Sequence, residues 1–343
     1  MPDDVLVGAA ALRRFAEGFL AAMGAPAETA AEVAAHLVEA DLRGASGHGV
    51  VRLPQYLNHA RAGRFDPKGR PTLGAAQGGA PVVLGGNGFG VPACRMAVEE
   101  ALRLARRQGA GACGVAEVFH TGRSGAFAAQ GAREGCLTLL IGGGARAHWK
   151  PVAPYGGARG ALGTNPYALA VPAGPGGPAG FDFATSAGAA GKVLAARSAG
   201  RALPEGMIVD RDGRPSTDPA DYEAGGAILP AAGPKGFGMA LLAELIGEAV
   251  WPSSRIGMNW LVICVDLARF RAPSDYAAAA ETALSEVAAT PPAPGFDRVE
   301  IPGRRGAALA EGRAATGVPL PAATLALMKA KAAEIGASTA DLP

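Results

Sequence analysis

The sequence has little lysine and no block of like charge. Its 343 residues include 26 arginines and only six lysines, the formal net charge is +2, and the arginines are scattered without interleaved aromatic residues. A nucleic-acid-binding surface needs a concentrated basic patch, so nucleic acid is not expected as a partner. Because 49% of the residues are apolar and 18% are charged, intrinsic disorder is excluded as well.

Long apolar runs and paired cysteines are also missing. No window approaches 18 uninterrupted apolar residues, and residues 1–5 are acidic rather than basic, so neither a membrane helix nor an export signal is expected. The four cysteines (Cys94, Cys113, Cys136 and Cys264) lie far apart and form no C-x-x-C pair. We expect them to be reduced core residues of a cytoplasmic protein. No cluster with metal-ligand spacing occurs, so no metal is expected.

Apolar periodicity predicts an α/β chain with helices at both ends. Three helices come first, at 7–23, 27–42 and 50–62, and two helices come last, at about 307–316 and 321–335. Between them the pattern predicts strands at 81–84, 114–119, 137–141, 167–171 and 259–267, and helices at 92–108, 124–133, 239–250 and 273–287. The glycine-rich segment 85–90 is predicted to be a loop. It reads G-G-N-G-F-G and lacks the G-x-G-x-x-G pattern, so a Rossmann site is not predicted there.

His120 stands at the end of the strand predicted at 114–119. Ligands of α/β proteins bind outside the carboxyl ends of strands, and histidine is the side chain that exchanges a proton near neutral pH. His120 is therefore a candidate acid or base. The alternative is a histidine that only caps the turn.

A second candidate lies in the glycine-rich loop 43–49, which reads R-G-A-S-G-H-G. If the third helix begins after Gly49, His48 and Arg52 are four residues apart at its first turn and can approach the same space. Histidine beside arginine suggests an anion site. An exposed polar turn is the alternative.

Several later residues suit a phosphate, a ribose or a carboxylate. Thr164 and Asn165 follow the long glycine-rich loop 142–163, although turn initiation explains them nearly as well. Asp182 lies in an apolar strand between two phenylalanines and therefore needs a partner. Lys235, followed by Gly236, opens an apolar helix whose N-terminus favours an anion; a solvated turn lysine is the alternative. Lys192 stands at the start of another predicted helix.

These residues belong to motifs that, in this order, resemble the malate/L-lactate dehydrogenase family of the second, non-Rossmann type. The motifs are R-G-x-x-x-H-G, x-H-T-G-R-x-G-x-F-A, V-A-P-Y-G-G with G-T-N-P-Y-A, F-D-F-A-T-S, G-K-V with L-P-x-G, P-S-T-D-P and G-P-K-G-F-G. The resemblance implies a mixed sheet flanked by helices, with a helical lobe built from both chain ends. It also implies an oxidoreductase that uses NAD or NADP, with NAD favoured, and forms a homodimer.

Residue roles follow from the same resemblance. His120 resembles the family's proton acceptor, His48 its second histidine and Asp182 the carboxylate that supports it. Arg52 and Arg123 match positions implied to bind the substrate carboxylate. The cofactor-facing positions are Thr164, Asn165, Asp182, Lys192, Lys235 and Gly236. The sequence departs from the family's S-H-G by reading Gly47-His48-Gly49.

The expected function is hydride transfer between NAD(P) and a small 2-hydroxy acid or 2-oxo acid. Two alternatives remain open, a reductase of cyclic imino acids such as piperideine-2-carboxylate and a homologue that binds a dinucleotide without catalysis. The expected domains are a helical lobe formed by 1–75 together with 290–343, and an α/β core at 76–289 that binds the cofactor and the substrate.

Overall fold

A mixed seven-stranded sheet forms the centre of the molecule in a computed structural model that describes residues 4–251, 254 and 256–343. Its strands are β2 (Thr72–Ala75), β3 (Pro81–Gly88), β4 (Ala110–Val118), β5 (Cys136–Gly143), β6 (Pro166–Val171), β7 (Ala179–Ala184) and β11 (Asn259–Asp266). They lie in the order β2-β3-β4-β11-β5-β6-β7. Only β3 and β4 run parallel, and every other neighbouring pair is antiparallel.

Two smaller sheets complete the strand set of the described residues. β1 (Asp4–Val7) pairs antiparallel with β12 (Val318–Pro321) and so joins the two ends of the chain. β8 (Ile208–Val209), β9 (Pro215–Ser216) and β10 (Ala227–Ile228) form a short three-stranded sheet.

Helices flank the central sheet. They are α1 (Ala9–Ala22), α2 (Ala27–Leu42), α3 (Arg52–Arg61), α4 (Gly90–Gln108), α5 (Gly125–Arg133), α6 (Ala190–Ser198), α7 (Pro219–Glu223), α8 (Pro234–Leu245), α9 (Pro273–Ala288), α10 (Arg304–Thr316) and α11 (Ala322–Ala333). The apolar stripe of α4 is buried over β4, as its 3.6-residue periodicity requires. Near the chain ends, α10 contacts α2 and α11 contacts α3.

Two large apolar cores and a third cluster of three buried residues hold the described layers together. The larger core combines side chains from α1–α4, the central sheet and α11, including Phe15, Phe89 and Met328. The smaller core is formed by side chains of the segment 152–240, including Val152, Ile208 and Ile228. The N-terminal helices therefore share a buried interior with the sheet beside which they pack.

The predicted fold class, a mixed sheet flanked by helices, is confirmed, but several local predictions were wrong. The glycine-rich segment predicted as a loop at 85–90 continues β3 as far as Gly88, and α4 begins at Gly90. The helix predicted at 239–250 begins at Pro234, and its last turn, Ile246–Val250, is a π-helix. β1, β2, β12 and the three-stranded sheet were missed because strands of two to four residues carry little periodicity.

All four cysteines are buried and free, as expected. Within the described ranges, no helix is both long and apolar enough to cross a membrane. The same residues contain no group of His, Cys, Asp and Glu side chains that could hold a metal ion. Residues 1–3 of the acidic start fall outside the described part.

Candidate active site

Two histidines from distant parts of the chain meet beside the sheet. His120 follows the end of β4, and His48 ends a short 3-10 helix, Ser46–His48. The Nδ1 atom of His48 lies 3.3 Å from Nε2 of His120. The ring planes differ by 6° and the ring centroids are 5.4 Å apart, so the rings meet edge to edge along a hydrogen bond. The two predicted histidines therefore form one unit.

Tyr56 binds the other side of His120. Its hydroxyl lies 2.7 Å from Nδ1 of His120, and its ring is buried against Phe65, Phe89 and Phe119. Sequence reasoning assigned Tyr56 no role, although it stands four residues after Arg52 on α3 and so shares a helix face with it. Both ring nitrogens of His120 thus have partners. In the described residues, Nε2 of His48 has none.

Burial keeps both histidines neutral near pH 7. It lowers the pKa of His120 well below 6.5, and the nearby Arg52 guanidinium and His48 lower it further. Burial also lowers the pKa of His48; Arg52 acts in the same direction and the Asp182 carboxylate opposes it. A neutral imidazole pair can accept a proton from a ligand hydroxyl.

Arg52 lies beside this pair, but not on a shared helical turn as predicted. α3 begins at Arg52, while His48 belongs to the preceding 3-10 helix. The Arg52 guanidinium reaches back, with Nε donating to the Gly47 carbonyl at 2.6 Å and Nη1 donating to Oε1 of Gln55 at 2.8 Å. A guanidinium has five N–H groups, so several stay available for an anion.

Asp182 has the partners that its strand position required. It lies in the edge strand β7 and accepts hydrogen bonds from Ser124 Oγ at 2.7 Å and from the Gly125 backbone N–H at 2.6 Å. A Cβ on Gly125 would lie 2.9 Å from Asp182 Cβ and 2.6 Å from Arg123 Nη1, so a larger residue there would displace the Asp182 side chain. The flanking phenylalanines, Phe181 and Phe183, are 40% and 41% exposed rather than part of the core.

Arg123, which the sequence predicts to bind a substrate carboxylate, pairs with Glu39 of α2. Its Nε and Nη2 donate to the Glu39 carboxylate at distances between 2.8 and 3.2 Å. Arg43 donates to the same carboxylate. The Nε and Nη2 side of the Arg123 guanidinium is therefore occupied by a protein carboxylate. Sequence analysis did not identify Glu39.

Helix α2 supports both histidine-bearing loops. His36 Nε2 accepts the Arg123 backbone N–H at 3.0 Å, and burial lowers its pKa to about 3, which keeps it an acceptor. Asp41 accepts the Val50 N–H at 2.8 Å just after His48. Burial raises the pKa of Asp41 to about 7, against the opposing hydrogen bond from Val50 and the charge of Arg313.

A second group of predicted residues gathers around Thr185. The Thr164 carbonyl accepts hydrogen bonds from the Thr185 N–H at 2.9 Å and from its hydroxyl at 3.0 Å. Asn165 is fully buried with φ +44°, and its Oδ1 has no donor in the described residues. Gly236 packs so closely against the carbonyl oxygens of Thr185 and Ala231 that a Cβ at this position would collide with them.

The two predicted cofactor lysines stand in the first turns of α6 and α8. Lys192 and Lys235 are exposed, and within the described ranges neither pairs with a carboxylate. The segments entering these helices are hydrogen-bonded to each other, through Ala187 with Leu229 and Ala231 with Thr185. Thr185 directly follows β7, the strand that carries Asp182, and the Asp182 carboxylate is close enough to His48 to act on its pKa.

Comparison with known protein families finds relatives over most of this chain. The family model described as malate/L-lactate dehydrogenase matches residues 7–329. A ureidoglycolate dehydrogenase (NAD(+)) from Escherichia coli is 31% identical over 308 residues, which are 85% of this chain and 86% of that protein. An L-lactate dehydrogenase from Cupriavidus necator is 34% identical over 86% of this chain and 88% of its own length.

A third relative uses the other nicotinamide, and solved structures share the fold. The (2R)-3-sulfolactate dehydrogenase (NADP(+)) from Chromohalobacter salexigens is 37% identical over 66% of each chain. The sulfolactate dehydrogenase structure from Methanocaldococcus jannaschii superposes with a TM-score of 0.86 and 28% identity, covering 97% of this chain and 98% of that one.

Proposed function

The chain belongs to the malate/L-lactate dehydrogenase family, and from that premise we propose that His48, His120 and Arg52 form its catalytic centre. The family membership makes it an NAD(P)-dependent dehydrogenase of 2-hydroxycarboxylates, as the sequence predicted. The observation that carries the residue assignment is the 3.3 Å contact between two histidines 72 residues apart, with Arg52 beside them.

The residues around Thr185 fit a dinucleotide. The first turns of α6 and α8 offer backbone N–H groups together with Lys192 and Lys235, a combination that suits phosphate. Asn165 Oδ1 is a buried acceptor without a protein donor and is therefore available to an N–H of a ligand. We assign Thr164, Asn165, Lys192, Lys235 and Gly236 to cofactor binding.

The protein's own groups supply the remaining chemistry. A nicotinamide cofactor held by the residues around Thr185 would supply or accept the hydride of the reaction. The neutral His48–His120 pair takes the proton of the substrate hydroxyl in the oxidative direction and returns it in the reductive direction. Nε2 of His48 is the open nitrogen of the pair, and Tyr56 holds His120 in place. Arg52 holds the substrate carboxylate through N–H groups not used by Gly47 and Gln55.

Steady-state assays test this function directly. Purified enzyme is given NADH or NADPH with pyruvate, oxaloacetate, phenylpyruvate or piperideine-2-carboxylate. Reduction of a 2-oxo acid supports the proposal. Turnover of the imine alone favours the cyclic imino acid reductase, and calorimetric NADH binding without turnover of any substrate favours a non-catalytic dinucleotide-binding homologue.

We further propose a cytoplasmic homodimer. The four free, buried cysteines suit a reducing compartment. Helix α8 exposes a row of apolar side chains in the isolated chain, with Leu242 at 59% and Leu245 at 52% exposure. A row of this kind suits an interface with a second copy.

The division into lobes is likewise a proposal. Pairing of β1 with β12, and contacts of α10 with α2 and of α11 with α3, support a lobe formed by 1–75 together with 290–343. The remaining segment, 76–289, holds the sheet strands β3 to β7 and β11 and the cofactor residues. His48 and Arg52 then come from one lobe and His120 from the other, so the active site lies between them.

A further inference from the structure

The charges around the histidine pair are nearly balanced within the protein. Arg43 and Arg123 both donate to Glu39, and Asp182 lies close enough to Arg123 that a Cβ on Gly125 would contact both side chains. These two arginines and two carboxylates cancel in formal charge. Arg52 is the remaining cation near His48, and in the described residues it pairs with no carboxylate.

The pairing of Arg123 is geometrically strong. Its guanidinium makes three contacts of 3.2 Å or less with both oxygens of Glu39, and its side chain is only 14% exposed. Bidentate arginine-carboxylate pairs of this kind are the strongest charge-assisted contacts. Glu39 takes the Nε and Nη2 side of Arg123, so a ligand carboxylate could form a bidentate pair on that side only by displacing Glu39, which would leave the Glu39 charge without its partner.

Resting on the function proposed above, we propose that Glu39 makes this active site selective for 2-oxo and 2-hydroxy acids with a single acidic group. Arg52 neutralises the carboxylate next to the reacting carbon. A second carboxylate or a sulfonate on the substrate meets no free cation and approaches the carboxylates of Glu39 and Asp182. Specificity then comes from the neutralisation of Arg123 by Glu39, which leaves a second acidic group without a cationic partner, and not from a fitted pocket.

The first test is the substrate profile of the wild-type enzyme. The value of kcat/KM is measured for two monoacids, pyruvate and 2-oxobutyrate, and for two diacids, oxaloacetate and 3-sulfopyruvate. We expect the monoacids to be better by at least about tenfold, a typical discrimination from one unfavourable group. Equal or better use of a diacid overturns the proposal while leaving the dehydrogenase function intact. Failure to reduce any 2-oxo acid overturns both.

The second test removes the charge of Glu39. In Glu39→Gln the Arg123 fork is released, and the ratio of oxaloacetate to pyruvate kcat/KM should rise at least about fivefold. Glu39→Asp keeps the charge and should keep the wild-type ratio, as should the matched control Glu32→Gln, which neutralises another arginine-paired glutamate of α2.

An unchanged ratio in a folded Glu39→Gln enzyme overturns the role of Glu39, and so does an equal rise in the Glu32 control. Melting temperatures of all variants establish that each is folded. If Glu39→Gln is unfolded, the wild-type substrate profile and the Glu39→Asp variant still test the proposal. A rise in the oxaloacetate-to-pyruvate ratio in Glu39→Asp would contradict a role based on charge, because aspartate keeps the charge.

Discussion

At the scale of single residues, the histidine pair should behave as one catalytic unit. Removing either ring breaks the contact between His48 Nδ1 and His120 Nε2. We therefore expect His48→Ala and His120→Ala each to lower kcat by about 10² to 10⁴, the usual contribution of a general acid or base. The double variant should lose no more than about tenfold beyond the worse single variant.

Stopped-flow or steady-state rates of the three variants, with NADH affinity measured separately, test this prediction. His148→Ala is the control. His148 lies in the loop after β5, and its Nδ1 contacts the Ser254 carbonyl rather than either histidine of the pair. Losses that multiply in the double variant would mean that the two histidines act independently.

Arg52 provides the second prediction at this scale. Lysine keeps the positive charge but cannot donate to Gly47, Gln55 and a carboxylate through one planar fork. We expect Arg52→Lys to raise KM for the 2-oxo acid at least about tenfold and to leave KM for NADH nearly constant. Arg61→Lys, at the other end of α3, is the control. A kinetically silent Arg52→Lys would place the substrate carboxylate elsewhere.

At the scale of elements, the N-terminus of α8 should bind the cofactor. Lys235 stands in its first turn, exposed and without a carboxylate partner in the described residues. Lys235→Ala should weaken NADH binding about three- to tenfold, the loss of one exposed phosphate contact, with little change in saturated turnover. Calorimetry measures the binding, with Lys329→Ala as control. Equal affinity in the variant and the wild type would remove Lys235 from the site.

Helix α2 leads to a prediction about pH and stability. The Asp41 carboxyl is buried and its pKa is raised from 3.8 to about 7. In the folded protein it stays protonated up to about pH 7, whereas in the unfolded chain it ionises above about pH 4. Its contribution to stability is therefore present below pH 4 and is lost as the pH rises through 7.

Asparagine is neutral at every pH and can still accept the Val50 N–H. The difference in melting temperature between Asp41→Asn and wild type should thus shift in favour of the variant by about 3 °C or more between pH 4 and pH 8. Thermal melts across this range test it, with Asp66→Asn, an exposed carboxylate, as control. A difference between Asp41→Asn and wild type that does not change with pH would contradict the argument.

At the scale of the whole molecule, the exposed face of α8 should join two copies. Leu242 and Leu245 are more than half exposed in the single chain, and covering them removes apolar surface from water. Leu242→Glu with Leu245→Glu should convert a dimer into a monomer with unchanged helix content. Light scattering after size exclusion measures the mass, and Leu327→Glu, an exposed leucine of α11, is the control. A monomeric wild type, or a variant that stays dimeric, would exclude this interface.

The parts of this protein that its sequence determined by itself are those that depend on neighbours along the chain. Apolar periodicity predicted α2 with its observed ends, and it predicted the ends of β5, β6 and β11 to within a few residues. Burial of one face imposes a repeat that can be read locally. His120 was found at a strand end and Lys235 at a helix start for the same reason.

Contacts across the chain were decided only by tertiary structure. Packing of α2 and α3 beside the turn after β4 brings His48 into contact with His120 and places the Tyr56 hydroxyl on the opposite side of the His120 ring. The same packing pairs Arg123 with Glu39. These partners are 64 to 84 residues apart, so no local repeat encodes them. Which arginine remains free for a substrate is set by the charges that meet in the folded molecule, and the sequence pattern alone does not carry that information.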